Sequence, residues 1–540
     1  MRVKILPAGV EVEADKGELL SDILSRTVSF PLPCGGAGYC GGCAVRVLEG
    51  KVTPPTREER LTGVIEREMR LACRTKVMGN VAVEVPRIAP VATVSGMMPR
   101  FELSPLIRKS GLGDMALPRS LPQPSFSFKG IAFRSGGGEI GLAVDLGTTN
   151  ISGSLLDLRN GRPLVEGFVR NPQVSRGADV ITRMEKALEG EREALRNMAI
   201  QGIEDLSSKL CKAVDVREED VSIVSVVGNS VMHALLLGLP VDSLSAAPFE
   251  PPLKMWVSGP ADEAGFERLS ESWLLVPPPL AGFVGSDALS DLVVAEMLEL
   301  ERPYLLIDLG TNTEVMLVTD DVLATSAPAG SAFESNVPSG VGGVRGTINR
   351  VRITEEGIEV EVEGRPVGLS GSGLISAVAE MLRWGLLSEN GRMSRELGGK
   401  LRLVDSPRIE VTQRDVREVQ KAVAAVYSAW RILMRRKGLS HEDLKGVYLA
   451  GTFGSHVDPS DAIEIGLIPP VDPETVVSLG NTALSGAKLL ILSEDAFTKF
   501  NELYSMVTYV DLARDPEFSE AFIEGTYLRG PPPDPSSGSL

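Results

Sequence analysis

Three cysteines and a run of glycines crowd into ten residues, Cys34-Gly35-Gly36-Ala37-Gly38-Tyr39-Cys40-Gly41-Gly42-Cys43, and a fourth cysteine follows at Cys73. A 2Fe-2S cluster needs this kind of arrangement: three thiolates from a loop that wraps the core and one from elsewhere. Gly-rich backbone can curl tightly enough to aim N–H groups at the sulfides. A structural zinc site more often shows two C-x2-C pairs or a Cys/His mixture, and only Cys40-Gly41-Gly42-Cys43 is such a pair here. Disulfides fit the pattern less well than either. One-electron transfer is therefore the first chemistry to expect. The remaining thiol, Cys211, sits on a helical apolar stripe and reads as core filler.

A second chemistry comes from an internal repeat. Val144-Asp145-Leu146-Gly147-Thr148-Thr149-Asn150 and Ile307-Asp308-Leu309-Gly310-Thr311-Asn312-Thr313 each follow one apolar strand and precede another, over residues 140–157 and 303–320. In such a hairpin the glycine lets backbone amides approach a phosphate, and the Thr and Asn side chains add donors. The strand-end aspartate can hold Mg²⁺ through its water shell. Two facing copies would clamp a triphosphate from both sides. One Asp-x-Gly alone would be an ordinary turn; the paired copies are what favour a nucleotide. No Gly-x4-Gly-Lys-Ser/Thr occurs, which excludes a P-loop. Three more Gly-rich turns follow strands or open helices: Gly368-Leu369-Ser370-Gly371-Ser372-Gly373, expected just before a helix over 374–386; Gly451-Thr452-Phe453-Gly454, after a strand over 447–450; and Gly228-Asn229-Ser230. Singly, each is better read as a structural turn; the ordered set is what strengthens the nucleotide reading.

The elements that position these residues are visible in the patterning. Residues 2–5 and 10–13 alternate as paired strands, 18–26 carries leucines at helical spacing, and 44–48 and 81–85 alternate again. At 540 residues with 43% apolar content, the chain holds three or more structural units with sizeable cores. Residues 88–138 interrupt every periodicity with prolines and Gly136-Gly137-Gly138, and read as a locally basic linker, with packing of part of it on a neighbour as the open alternative. The net charge of −17 disfavours nucleic acid as a partner. No segment approaches a membrane span, no N-terminal signal is recognisable, and reduced cysteines fit a cytoplasm. His233, His441 and His456 form no metal cluster, and no Ser-His-Asp or Cys-His arrangement is evident. The tail from Gly530 is expected to be disordered.

The C-x5-C-x2-C spacing resembles that of adrenodoxin-type ferredoxins, and the surrounding strands resemble a β-grasp ferredoxin domain. The duplicated turn resembles the actin, sugar-kinase and chaperone ATPase superfamily, in which Gly451-Thr452-Phe453-Gly454 would take the place of the adenosine-binding turn. The whole chain resembles the reductive activators of corrinoid proteins, on Asn171-Pro172-Gln173, Gly177-Ala178-Asp179-Val180-Ile181-Thr182-Arg183, Gly282-Phe283-Val284-Gly285-Ser286-Asp287, Ser326 to Glu334, and Gly480-Asn481-Thr482-Ala483-Leu484. That resemblance implies a 2Fe-2S ferredoxin domain over 1–87, a linker over 88–138, a two-lobed ATPase over 139–528 and a tail over 529–540. It implies a 2Fe-2S cluster on Cys34, Cys40, Cys43 and Cys73, and Mg-ATP organised by Asp145 and Asp308. It implies nucleotide contacts from Gly147, Thr148, Thr149, Asn150, Gly310, Thr311, Asn312, Gly371, Ser372, Gly373, Gly451, Thr452 and Gly454. The implied activity is ATP-dependent return of a Co(II) corrinoid to Co(I) on a partner corrinoid protein, with an upstream electron donor and a homodimer as the oligomer to test. The loop from Ser326 to Glu334 is the expected contact with that partner. Two other classes stay open: a small-molecule kinase with a fused redox domain, and a nucleotide-gated electron carrier for another enzyme.

Overall fold

The computed structural model describes residues 1–6, 9–26, 38, 43–61, 64–65, 68–85, 95–106, 108–109, 115–116, 139–310, 312–330, 340 and 346–529. Cys34, Cys40, Thr311, the stretch from Ser331 to Glu334 and the tail from Gly530 lie outside the described residues.

The N-terminal unit is a five-stranded mixed sheet built from β1 (Arg2–Leu6), β2 (Val10–Glu13), β3 (Ala44–Val52), β4 (Arg70–Leu71) and β5 (Val77–Glu84), in the order β2-β1-β5-β3-β4. Helix α1 (Leu20–Ser25) and the short α2 (Arg57–Leu61) join them. Alternation drives the arrangement: Val3, Ile5, Val45, Val81 and Val83 point inward at period two and meet Leu20, Ile23 and Leu24 of α1 in one core. The expected strands are present, with β3 and β5 each reaching beyond the alternating stretch because they pair with one another.

The repeat extends well past the turns. In the first lobe β6 (Ile140–Leu146), β7 (Asn150–Asp157) and β8 (Arg162–Arg170) form an antiparallel meander. Helices α3 (Val180–Lys186) and α4 (Arg192–Ala213) follow it. Strand β9 (Val221–Gly228) then pairs parallel to β6, and after α5 (Ser230–Leu236) and β10 (Val257–Pro260), β11 (Trp273–Val276) pairs parallel to β9. The order is β8-β7-β6-β9-β11-β10, and helix α6 (Ser286–Met297) follows β11.

The second lobe repeats this plan. Strands β12 (Tyr304–Asp308), β13 (Thr313–Val318) and β14 (Val322–Ala327) form the meander. A small sheet, β15 (Thr347–Thr354), β16 (Gly357–Val362) and β17 (Gly368–Leu369), leads to helices α7 (Gly371–Arg383) and α8 (Gln413–Lys437). Strands β18 (Gly446–Ala450) and β19 (Val476–Gly480) then add in parallel, followed by helix α9 (Thr482–Leu492). With β20 (Val507–Tyr509) on the outer edge, the order is β19-β18-β12-β13-β14-β20. The three meander strands and the two parallel strands of each lobe, β6, β7, β8, β9 and β11 in the first and β12, β13, β14, β18 and β19 in the second, thus have one topology.

Helices α6 and α9, each emerging from its lobe's last parallel strand, cross between the lobes and pack on each other. Their backbones meet so closely that a Cβ on Gly486 would lie 2.4 Å from Ser290 Cβ. Helix α9 lies against β6 and β9, and α6 lies between β9 and β12. The core there mixes Ala143, Ile223, Leu289, Leu306, Leu484 and Ala487 from both lobes.

Residues 95–106, expected within the linker, are seated on this helix pair. Met97 N–H donates to Leu479 O at 2.8 Å, Ser104 N–H to Leu492 O at 2.9 Å, and Leu106 N–H to Ile491 O at 3.0 Å. Leu106 is fully buried in the inter-lobe core, which stabilises that seat by about 2 kcal/mol. Cys211 packs in the first-lobe core as expected.

Candidate functional site: a thiol pair and an acid-lined cleft

The pairing of β3 with β4, Ala44 opposite Leu71, carries Cys43 and Cys73 to one place, and Ala72 N–H donates to Cys43 O at 3.0 Å. Their sulfurs are 3.3 Å apart, both residues are buried, and neither is in a disulfide. Two thiolates on one tetrahedral metal with bonds of about 2.3 Å lie roughly 3.8 Å apart. The pair therefore suits one metal of a cluster after a small relaxation, and is too wide for an S–S bond of about 2.05 Å.

Buried Glu59 ties this corner together. Its carboxylate accepts from Arg70 Nε at 2.8 Å and Nη2 at 3.1 Å, from Leu71 N–H at 3.0 Å, from Thr75 Oγ1 at 3.1 Å and from Thr56 N–H at 2.8 Å. Burial works against its ionisation, yet these bonds, that of Arg70 foremost, hold its pKa below the ordinary carboxylate value. The knot fixes α2 against the strand that leads into Cys73.

In the two-lobed part, Asp145 and Asp308 stand at equivalent positions, near the end of the first strand of each meander. The turns after them are backed by unlike partners. Asn171 Nδ2–H donates to Gly147 O at 2.8 Å and its backbone N–H to Thr149 O at 2.9 Å. In the second lobe the parallel partner strand approaches instead: Gly451 has φ +81, and a Cβ there would lie 2.3 Å from Asp308 Oδ1. Only glycine meets both demands without strain.

Three further acids join the two aspartates. Asp287 and Asp291 are four residues apart on one face of α6, and Glu314 lies directly opposite Asp308 in the β12/β13 ladder. Asp287 follows Gly285, where a Cβ would lie 2.3 Å from Gly228 O, so the β9 turn and the start of α6 touch backbone to backbone. Asp291 Oδ1 accepts from Thr482 Oγ1 at 2.6 Å, and Asp145 Oδ2 accepts from Asn481 Nδ2 at 3.0 Å. The start of α9, which belongs to the second lobe, therefore holds two acids of the first lobe, one on β6 and one on α6.

Crowding shifts these acids upward. Burial, helped by the charge of Asp308 and opposed by the Asn481 bond, pushes Asp145 from 3.8 to about 7. Burial and the charges of Asp308 and Asp145 push Asp287 to about 7, and burial pushes Asp308 to about 6. Asp291 and Glu314, sealed from solvent, lie well above the ordinary carboxylate range, again chiefly through burial. Asp145, Asp287 and Asp308 keep partial water contact, which limits the size of their shifts but not the direction. A low-dielectric pocket of half-protonated acids gains from a cation that neutralises it. Among the described residues no three His, Cys, Asp or Glu side chains converge on one point, so a cation here would keep water or phosphate ligands.

The other expected contacts fall around the helix starts. Gly371, Ser372 and Gly373 form the first turn of α7 itself, with Ser370 as N-cap accepting from Gly373 N–H at 3.0 Å, so the helix begins three residues earlier than its apolar stripe indicates. Gly451, Thr452 and Gly454 lie in a short helical turn after β18. Asn229 caps α5, and His233 is buried and held neutral, its pKa lowered by burial to about 3. Sequence reasoning assigned no role to Asp287, Asp291, Glu314, Asn481 or Glu59. Two acids one turn apart among the alanines, leucines and valines of α6 are the signal that could have found the first pair.

Residues 3–78 match the 2Fe-2S iron-sulfur cluster binding domain, residues 140–300 the RACo middle region, and residues 302–534 the C-terminal domain of RACo, its ASKHA domain. The chain is similar to the corrinoid activation enzyme RamQ of Eubacterium limosum, at 27% identity over 603 aligned residues, covering 97% of this chain and 99% of that protein. It is also similar to the [Co(II) methylated amine-specific corrinoid protein] reductase of Methanosarcina barkeri, at 28% identity, covering 68% and 73%. A solved structure titled reductive activator for corrinoid,iron-sulfur protein superposes with a TM-score of 0.69 at 26% identity, covering 98% of both chains.

Proposed function

This chain belongs to the RACo family, whose middle region and C-terminal domain it carries, and we propose that it activates a corrinoid protein by ATP-dependent reduction of Co(II) to Co(I). The observation that carries the reading is one chain, similar along 98% of its length to a reductive activator, that joins a cluster-binding domain to a duplicated nucleotide fold. A 2Fe-2S cluster on Cys34, Cys40, Cys43 and Cys73 would supply the single electron. In the cleft, Asp145 and Asp308 hold Mg²⁺, and the turns at Gly147 to Asn150 and Gly310 to Asn312 hold phosphate. The start of α7 at Gly371, Ser372 and Gly373 holds a further anionic group, and Gly451, Thr452 and Gly454 hold adenosine.

Plant-type clusters sit near −400 mV. A cobalt couple about 120 mV lower would make transfer uphill by about 2.8 kcal/mol, which a nucleotide can offset if one state of the cleft binds the partner more tightly than the other. In this reading residues 1–87 carry the electron, 88–138 link, 139–528 hydrolyse ATP, 529–540 form a tail, and Ser326 to Glu334 touch the corrinoid protein. An upstream donor loads the cluster, the compartment is the reducing cytoplasm, and a homodimer is the oligomer to test. No helix among the described residues is long and apolar enough to cross a membrane.

The test is anaerobic. The purified chain, a one-electron donor and a Co(II) corrinoid protein are mixed, and the Co(II) absorption band is followed with and without Mg-ATP. Loss of the band that requires ATP is expected. Loss independent of nucleotide would instead support an ungated carrier, and ATP-dependent phosphorylation of a small molecule a kinase.

A further inference from the structure

We propose that Arg183 is a positioning residue for the triphosphate, its guanidinium holding the turn at Thr148 from behind. The inference rests on the reading of residues 147–150 as a phosphate turn. Arg183 is fully buried on α3, a helix started by Asp179, whose carboxylate accepts from Thr182 N–H at 2.8 Å. Its Nη2 donates to Thr148 O at 2.5 Å, its Nη1 to Gln173 Oε1 at 3.0 Å, and its Nε to Gly177 O at 2.9 Å. Asn171 engages the carbonyls on either side, at Gly147 and Thr149.

In a trans peptide the C=O and the following N–H point in opposite directions. The Gly147 and Thr148 carbonyls, held back by Asn171 and Arg183, therefore turn the N–H groups of Thr148 and Thr149 the other way, away from α3, as an anion-binding turn requires. The rigid fork ties the Thr148 turn to two acceptors on the 173–177 stretch at once, which a lysine ammonium on a flexible stem does not reproduce. The adenosine-side turn belongs to the second lobe, after β18. Loosening the Thr148 turn should therefore weaken phosphate binding and leave adenosine binding alone.

The experiment uses the full-length protein and calorimetric titration with Mg-ATP and, separately, adenosine. Arg183→Met is expected to raise the Kd for ATP at least tenfold, about 1.4 kcal/mol, with adenosine affinity within about twofold of wild type; Arg183→Lys falls between. ATP affinity equal to wild type in Arg183→Met, or equal weakening of ATP and adenosine, overturns the proposal. Should Arg183→Met fail to fold, Asp179→Ala decides: it removes only the half-exposed cap of α3, and ATP weakened about threefold without adenosine supports the role, while unchanged ATP affinity overturns it. Wild-type protein that binds no ATP overturns the nucleotide reading underneath, a distinct result.

Discussion

Replacing Asn481 by serine should move the pH dependence of Mg-ATP binding upward. Asn481 caps α9, accepting from Leu484 N–H at 2.9 Å, and donates to Asp145 Oδ2 at 3.0 Å. Serine keeps a competent cap, so helix stability changes by only a few tenths of a kcal/mol. It cannot reach Asp145. A hydrogen bond to a charged group contributes about 1.5–3 kcal/mol, and partial water contact at Asp145 trims the loss to about 1.4 kcal/mol, equal to one pH unit. The bond favours the carboxylate, so its loss raises a pKa already near 7 to roughly 8. Cation binding needs the carboxylate. At pH 7 the ionised fraction falls from about one half to about one tenth, a roughly fivefold loss of affinity that disappears by about pH 9. Because Asp145, Asp287 and Asp308 titrate together, the absolute midpoint belongs to the group, and the difference between variant and wild type reports Asn481. Titration calorimetry from pH 5.5 to 9 measures it. Asn481→Asp, which keeps the cap and adds a like charge, should move the midpoint further. Midpoints of both variants within about 0.2 of wild type would refute the coupling. The unliganded protein carries the matching sign: the folded acids bind more protons than the unfolded ones between about pH 4 and 7, so stability falls as pH rises through that window.

Three more outcomes follow from the same geometry. Cys73→Ser should abolish the visible and EPR signals of the cluster while leaving ATP affinity unchanged, and iron retained at the wild-type stoichiometry would contradict the ligand assignment. Glu59→Ala leaves the Arg70 guanidinium without its bidentate partner and should destabilise the N-terminal domain by about 3 kcal/mol, read as a lower temperature of thermal bleaching. The wild-type contribution of Glu59, whose pKa is depressed, should be lost as pH falls below the ordinary 4.5. Gly96→Val places a Cβ where Asn481 O lies 2.1 Å away, and should free residues 95–97 from β19. Faster limited proteolysis between residues 88 and 106 with an unchanged cluster spectrum is expected, and wild-type resistance would show that the seat does not hold the linker.

Local patterns were readable because local physics sets them. The alternation in β1 and β2, the helical leucines of α1, and two apolar strands each closed by Asp-x-Gly needed no knowledge of distant contacts. The elements that bind the lobes together carry no such mark. Helix α9 is buried on every side, since it packs on α6 and on two strands of the other lobe, so no amphipathic stripe announces its partner. The bonds that matter there join residues far apart in the chain, Asn481 with Asp145 across 336 positions and Thr482 with Asp291 across 191. The linker hides its seat for the opposite reason: its prolines and glycines break periodicity, although Gly96 is what lets the backbone reach Asn481 and Leu106 anchors the far end. Those two blind spots coincide at one place. The segment that leads from the cluster-binding domain lies against the same residue that steadies Asp145, so any motion of α9 that accompanies nucleotide binding also displaces residues 95–97.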